Sequence, residues 1–302
     1  GPSFIHREGK MTGKKTLRGS LMVAGTAAAW GLNGTLAKFL FISGEVDPLL
    51  LTAVRATLAF PILALTLLLW KRQLLTIRFH DLPLLTLVGI GVTLANFTYY
   101  YTISLTTVAT AILLQYMAPI LVALFGAAFL KERLTPPVLA ALALAISGSS
   151  LIVKAYDPAT LRLNLPGLLS GLLSAFSFAS YTLLSKKAVE RLDSRTLITY
   201  AYAVAALCWW TMVPPWTFIG QGYAPRLWLL FFVIAAFGTA LPFALYARGL
   251  MDLPATRVSI VSTLEPVIAG VAAYFFLDEG LVLSQVVGGL LVISGVILIQ
   301  RG

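Results

Sequence analysis

Residues Ile112–Leu134 read ILLQYMAPILVALFGAAFLKERL, and 147 positions later Ser259–Leu281 read SIVSTLEPVIAGVAAYFFLDEGL. Sliding Thr107–Ile152 onto Pro254–Ile299 without a gap pairs Pro119 with Pro266, Phe129 with Phe276, Leu130 with Leu277, Glu132 with Glu279 and Leu134 with Leu281. The same register pairs Leu144, Ile146, Ser147, Gly148, Leu151 and Ile152 with Leu291, Ile293, Ser294, Gly295, Leu298 and Ile299. Apolar bias supplies chance leucine matches, but it does not bring Pro, Glu and Ser-Gly into register. The chain is a duplication whose unit is about half of it.

A mean hydropathy of +0.89, with 59% hydrophobic and 11% charged residues, lies far from a soluble domain, in which about a quarter of residues are charged. The composition is that of an integral membrane protein in a lipid bilayer. At about 20 apolar residues per span, 302 residues accommodate roughly ten helices and no sizeable soluble domain. The single Cys208 sits in an apolar segment and reads as a small packing residue, which leaves no disulfide framework and no cysteine metal site. The histidines, His6 and His80, lie outside the spans, and no cofactor motif is present. No catalytic or metal residue and no cofactor is therefore expected, and the chain does not read as an enzyme. Gly1-Pro2 ahead of Met11 reads as a cleavage scar with vector sequence, which sets residues 1–10 aside and turns the formal charge of +10 into +9. No cleavable signal precedes the first span. In a membrane chain such a basic balance points to cytoplasmic loops and not to nucleic acid.

The apolar runs are Leu17–Phe41, Pro48–Trp70, Leu82–Ser104, Thr106–Leu130, Pro136–Val153, Leu165–Leu184, Thr196–Val213, Leu227–Leu250, Ala255–Leu277 and Val282–Ile299. Placing the N-terminus inside puts 15 Lys and Arg beyond residue 10 on the cytoplasmic side and three outside, so both termini are expected in the cytoplasm. Five spans per half is an odd number, so the second copy enters the membrane inverted. The loops agree: Lys131-Glu132-Arg133 is basic, and its counterpart Asp278-Glu279-Gly280 is acidic. Further matches pair Leu17, Gly19, Ala27, Leu36 and Lys38 with Leu165, Gly167, Ala175, Leu184 and Lys186, and Asp47 and Leu51 with Asp193 and Leu197. The expected organisation is a tail over 1–16, a five-helix repeat over 17–155 and an inverted repeat over 156–302. An inverted 5+5 repeat is the pattern of secondary transporters, whose halves exchange conformations to open alternately to each side.

Polar and aromatic residues at mid-depth are the candidate substrate contacts, since lipid-facing positions there are aliphatic. Trp30 and Asn33 lie among Gly25, Ala29, Gly31 and Gly34, small residues that admit close helix approach. Asn96, Tyr99, Tyr100 and Tyr101 follow in span 3; three consecutive tyrosines cannot share one helix face, so one or two line a cavity. Gln115 and Tyr116 precede Pro119, whose freed backbone carbonyl is one candidate partner for Gln115. Phe178 and Tyr181 in span 6, Phe243 and Tyr246 in span 8 and Ser262 in span 9 complete the set. Glu265 is the acid at mid-membrane and Arg55 the basic group of comparable depth. They pair with each other, find an Asn, Tyr or backbone carbonyl, or face water, and Glu265 has the further alternative of being protonated and coupling transport to protons. Lys38 and Lys186 occupy equivalent repeat positions and read either as snorkelling side chains or as a symmetric charge gate. Pro119 and Pro266 are either hinges or static kinks. Spans 5 and 10 are small and aliphatic and read as scaffold. Trp70, Trp216 and Trp228, at span ends, read as interfacial anchors.

Together, the ten spans, Pro119…Phe129-Leu130-Lys131-Glu132-Arg133-Leu134 with its copy Glu265-Pro266…Phe276-Leu277-Asp278-Glu279, Arg55 and the twin Ile-Ser-Gly motifs resemble the EamA branch of the drug/metabolite transporter superfamily over about Leu17 to Gln300. Within it the chain looks most like the bacterial exporters of aromatic amino acids, on Trp30, the tyrosine-rich span 3 and Tyr116. The resemblance implies export of small neutral or aromatic metabolites across a bacterial inner membrane through a central cavity built without spans 5 and 10. A sugar-phosphate or nucleotide-sugar exchanger of the same superfamily is the second reading, and would need several cavity Lys or Arg. A non-transporting scaffold or membrane enzyme is the third, and would need no cavity.

Overall fold

The computed structural model describes residues 13–42, 46–158, 161, 164–277 and 280–301. Fourteen α-helices run through them: α1 Gly13–Ile42, α2 Pro48–Trp70, α3 Leu82–Leu105, α4 Val108–Gln115, α5 Ala118–Phe129, α6 Pro136–Ile152, α7 Leu165–Ala188, α8 Ser194–Met212, α9 Pro215–Ile219, α10 Pro225–Ala235, α11 Leu241–Asp252, α12 Ala255–Ser262, α13 Leu264–Leu277 and α14 Leu283–Arg301. Starts are written locally. Proline occupies the first turn of most of these helices, where its missing N–H costs nothing. The repeat-equivalent Asp47 and Asp193 both cap: Asp47 accepts from the N–H of Leu49 and Leu50 at 2.8 and 3.2 Å, and Asp193 from that of Arg195 at 2.9 Å. Burial opposes the charge of Asp193, but the bonds from Arg195 outweigh it and hold the carboxyl below its usual range. Inside the helices, threonine hydroxyls return to carbonyls one turn back, as Thr52 to Pro48 at 2.9 Å and Thr93 to Gly89 at 2.8 Å. Such bonds keep polar groups satisfied where no water reaches.

Among the described residues, seven segments are long and apolar enough to cross a membrane: Pro48–Trp70, Phe79–Leu105, Val108–Phe129, Leu165–Ala188, Pro225–Asp252, Ala255–Phe276 and Leu283–Gln300. The sequence reading counts ten. The difference lies in α6, apolar but only 17 residues long, and in α1 and α8, which mix small and polar residues with apolar ones. Helices sheltered by neighbours do not need an all-round apolar surface, and α8 buries Ser194, Thr196, Thr199 and Tyr202. Two spans are broken. The stretch Tyr116–Met117 separates α4 from α5, and Thr263 separates α12 from α13, one turn or less before Pro119 and Pro266. A third is distorted: Ala236–Ala240 forms a π turn between α10 and α11, with the Thr239 hydroxyl reaching back five residues to the Ile234 carbonyl at 3.2 Å.

Contacts recur at the repeat offset. α3 lies along α7, and the equivalent α11 lies along α1; α4 and α5 contact α7 as α12 and α13 contact α1; α6 lies along α14. At this last contact a Cβ on Gly148 would sit 2.5 Å from the Gly288 carbonyl and 2.9 Å from the Val292 nitrogen, and one on Gly295 would sit 2.9 Å from the Ala141 carbonyl. Gly288 and Ala141 are themselves 147 apart, so the two glycines serve one interface from both sides. The acidic loop residues Asp278 and Glu279, like Arg162, lie outside the described residues.

Candidate substrate cavity

Where α1, α2, α3, the α4–α5 break, α7, α11 and the α12–α13 break converge, they enclose a cavity of about 170 Å³. It is small beside the ~300–1,000 Å³ of drug-sized sites, so its scale is that of a small metabolite. The sequence candidates Trp30, Asn33, Asn96, Tyr99, Tyr100, Gln115, Tyr116, Phe178, Phe243 and Ser262 all line it, together with Arg55, Glu265, Pro119 and Pro266. The wall also contains Gly34, Ala37, Ala95, Ile112, Ala118 and Ser259. Small and aliphatic residues carry no sequence signal for a binding role; they shape the space by leaving it open.

Its aromatic side is one cluster. Trp30 meets Phe243 edge-on at 5.0 Å between ring centroids and Phe178 at 6.1 Å. Tyr181 and Tyr246, expected as substrate contacts, do not line the cavity: both are fully buried behind Phe178 and Phe243. The Tyr246 hydroxyl is taken by Thr182 at 2.8 Å. They lie beneath the ring layer because Trp30 and Phe178 cover them, a choice of depth that helical periodicity does not encode. Tyr101 faces outward, as its position beside Tyr99 and Tyr100 requires.

The polar side is anchored to the backbone. Asn96 donates to the Val92 carbonyl at 2.7 Å, and its Oδ1 accepts from the Arg55 guanidinium. The same guanidinium lies 5.9 Å over the Tyr100 ring, a cation–π contact. Gln115 donates to Ser174 Oγ at 3.0 Å, and Ser174 in turn donates to the Ala95 carbonyl at 3.0 Å. Gln115 thus ties α4 to α7 and α3, and its partner is this serine and not a carbonyl freed by Pro119. Asn33 Oδ1 is buried and meets no donor. Its amide packs onto the π turn, where a Cβ on Gly238 would fall 2.1 Å from Oδ1, so only glycine fits there. Pi turns concentrate at functional sites because they re-aim one face of a helix. Arg55 and Glu265 form no ion pair with each other, nor with any other charged side chain among the described residues.

Beyond Ser259, charged side chains hold the α11–α12 turn from three directions. Arg18 on α1 binds Asp252 through two nitrogens at 2.6 and 2.8 Å. Lys186 on α7 donates to the Leu250 and Leu253 carbonyls at 2.7 and 2.8 Å. Glu132 accepts from the Ala255 and Thr256 backbone N–H groups at 2.6 and 3.0 Å and from the Thr256 hydroxyl at 2.6 Å. Lys186 therefore neither lines the cavity nor snorkels; it satisfies carbonyls at the end of α11. The side chain of Lys38 lies outside the described residues. Glu132 is aimed by Lys131, whose φ of 56° closes α5 in a left-handed turn with the Glu132 N–H returned to the Gly126 carbonyl at 3.1 Å.

A paired pattern of this kind, matched over both halves, decides the family. The EamA-like transporter family matches residues 17–154 and again 165–301. The chain belongs to the EamA-like transporter family. It is similar to the inner membrane transporter YicL of Salmonella typhimurium, 27% identical over 290 residues and covering 94% of this chain and 96% of YicL. A transporter of Archaeoglobus fulgidus is 30% identical over 220 residues, 72% of this chain and 76% of its own. The transporter YwfM of Bacillus subtilis is 26% identical over 286 residues, 93% of each. One crystal structure superposes with a TM-score of 0.78 at 20% identity, covering 93% of this chain and 96% of the other, a likeness of fold. This EamA protein is thus a multi-pass membrane transporter of the drug/metabolite superfamily, whose substrate binds within the bilayer.

Proposed function

We propose that this EamA transporter exports amino acids, aromatic and neutral ones first, and related small metabolites across a bacterial inner membrane by alternating access. The observation that carries the reading is the cavity itself: an aromatic chamber around Trp30, Phe178 and Phe243 facing amides and opposite charges from both halves of a duplicated chain. Aromatic walls suit planar side chains, and the polar wall suits the charged end of an amino acid.

The architecture invoked is ten spans in an inverted 5+5 repeat with both termini cytoplasmic. Contacts that recur at the repeat offset support it, since a pseudo-two-fold relation maps α3–α7 onto α11–α1. The cavity reaches Ser259 and stops at the Glu132–Lys186–Arg18 grip, which on the charge distribution is the cytoplasmic end; the reading is of a state closed inward. Pro119 and Pro266, at equivalent helix breaks on the cavity wall, would act as hinges, and Lys186 as part of the inward gate. A sugar-phosphate exchanger has less support, because among the described side chains Arg55 is the one Lys or Arg on the wall and phosphate sites favour several cations.

Proteoliposomes loaded with labelled L-phenylalanine test the reading: efflux with and without a membrane potential or pH gradient is expected, and exchange of sugar phosphates without amino-acid flux would sink it. Trp30→Ala and Tyr99→Ala are expected to weaken apparent affinity about two- to tenfold each, from lost ring contacts of ~0.5–1.5 kcal/mol apiece. Trp30→Ala also strips the ring contacts to Phe178, Phe243 and Tyr246 and should lower the melting temperature, so Tyr99→Ala is the variant whose loss of affinity reads the site itself. Normal transport in both variants removes them from the site.

A further inference from the structure

Arg55 and Glu265, side chains of opposite charge when ionised, face one cavity within the bilayer, and no ion pair joins them among the described residues. Arg55 is steered by Asn96 and by the face of Tyr100, both on α3. Glu265 sits at the start of α13 on the α12–α13 break, beside Tyr116 on the α4–α5 break. A carboxylate and a guanidinium in one small low-dielectric space gain much by pairing, yet α2 and α13 hold these two side chains on separate walls, with no ion pair between them among the described residues. The chemistry left open is one cationic fork with spare N–H donors and one carboxyl group, around an aromatic chamber.

We propose that Arg55 and Glu265 are the two poles of a zwitterion site: Arg55, positioned by Asn96, takes the substrate carboxylate; Glu265 takes its ammonium; and the apolar side chain enters the chamber of Trp30, Phe178 and Phe243. This rests on the amino-acid reading above and goes beyond it by assigning the discriminating charges. A guest with both charges neutralises the cavity as a unit. A guest with one leaves the other pole unpaired in the membrane, which is the costly outcome.

The test is competition against labelled L-phenylalanine uptake by the full chain in proteoliposomes, using unlabelled L-phenylalanine, phenethylamine, which lacks the carboxylate, and 3-phenylpropionate, which lacks the ammonium. In the wild type each single-charge analogue should compete about 10- to 100-fold less well, the range for losing one charge-assisted hydrogen-bonded contact. Arg55→Gln should erase the preference for L-phenylalanine over phenethylamine while keeping that over 3-phenylpropionate; Glu265→Gln should do the reverse. The assignment is overturned if either analogue matches L-phenylalanine in the wild type, a result that needs no variant to fold. It is also overturned if both variants lose all three ligands in parallel, as purely structural residues would. A wild type that moves sugar phosphate and is blind to all three compounds refutes the transport reading itself, a different failure from equal competition among them.

Discussion

Glu132→Ala is expected to destabilise the protein by about 2–4 kcal/mol and to loosen the gripped end of the bundle. One carboxylate accepts three hydrogen bonds there, two from the orphan N–H groups that open α12 and one from Thr256. Loss of a helix cap costs about 0.5–2 kcal/mol, and an anion at a helix start adds up to ~2 kcal/mol in a partly buried setting. The left-handed Lys131, which costs about 1–2 kcal/mol in a non-glycine residue, is then no longer offset by what it positions. The readout that separates a gate from a mere brace is chemical. In a Cys208→Ser background, Ser259→Cys should react faster with a membrane-impermeant thiol reagent applied from the Glu132 side once Glu132 is alanine. Glu132→Gln, which keeps an acceptor, should fall between. Unchanged melting and labelling would show that the α11–α12 turn is held by Arg18 and Lys186 without Glu132.

Gly148→Leu should be the most damaging single change away from the cavity. The Cβ alone would lie 2.5 Å from a backbone carbonyl and 2.9 Å from a backbone nitrogen of α14, so no side-chain rotation relieves the clash and α6 must separate from α14. Overpacking costs about 1–3 kcal/mol in cores that can adjust, and more is expected where two backbones set the contact. Close approach of helices through small residues replaces the missing hydrophobic drive between them in lipid. Fluorescence-detected size exclusion should show a large fall in monodisperse protein, with Gly148→Ala milder. Since α6 and α14 contribute nothing to the cavity wall, whatever protein survives should keep its order of preference among substrates. A variant that melts like the wild type would mean the two helices are not held together at this crossing.

Asp193 offers a smaller, pH-dependent instance of the same logic. Its carboxyl is held below the usual range by Arg195, so its contribution is present near neutral pH and fades as acid protonates it.

The candidate site was legible to the extent that chemistry was rare in its surroundings. Trp30, Asn96, Gln115, Arg55 and Glu265 stand out because mid-membrane polarity is costly, about 2.5–3.5 kcal/mol for an ionised group on insertion scales, and all five line the cavity. Ala37, Ala95 and Ala118 were invisible, since they matter by their smallness, and Gly34 stood out only as a residue for close helix approach. Tyr181 and Tyr246 lie off the wall for a reason composition does not carry: a tyrosine buried behind the ring layer reads the same as one facing a guest, and the Tyr246 hydroxyl is taken by Thr182. Gln115 was read correctly as polar at depth, but its partner, Ser174, lies on another helix.

The sequence by itself determined the duplication, the membrane habitat, the helix starts at Asp47 and Asp193, and the equivalence of Pro119 with Pro266. Each follows from composition or register along one strand of chain, and hydrophobicity, capping and repetition are local quantities. Only the tertiary structure decided that Arg55 and Glu265 share a cavity without pairing, that Glu132 and Lys186 converge on the α11–α12 turn, and that α1 and α8 need no all-round apolar face. Those outcomes depend on which helix lies beside which and on the depth of each ring in the stack. Packing between segments more than a hundred residues apart fixes both, and no window of sequence contains that information.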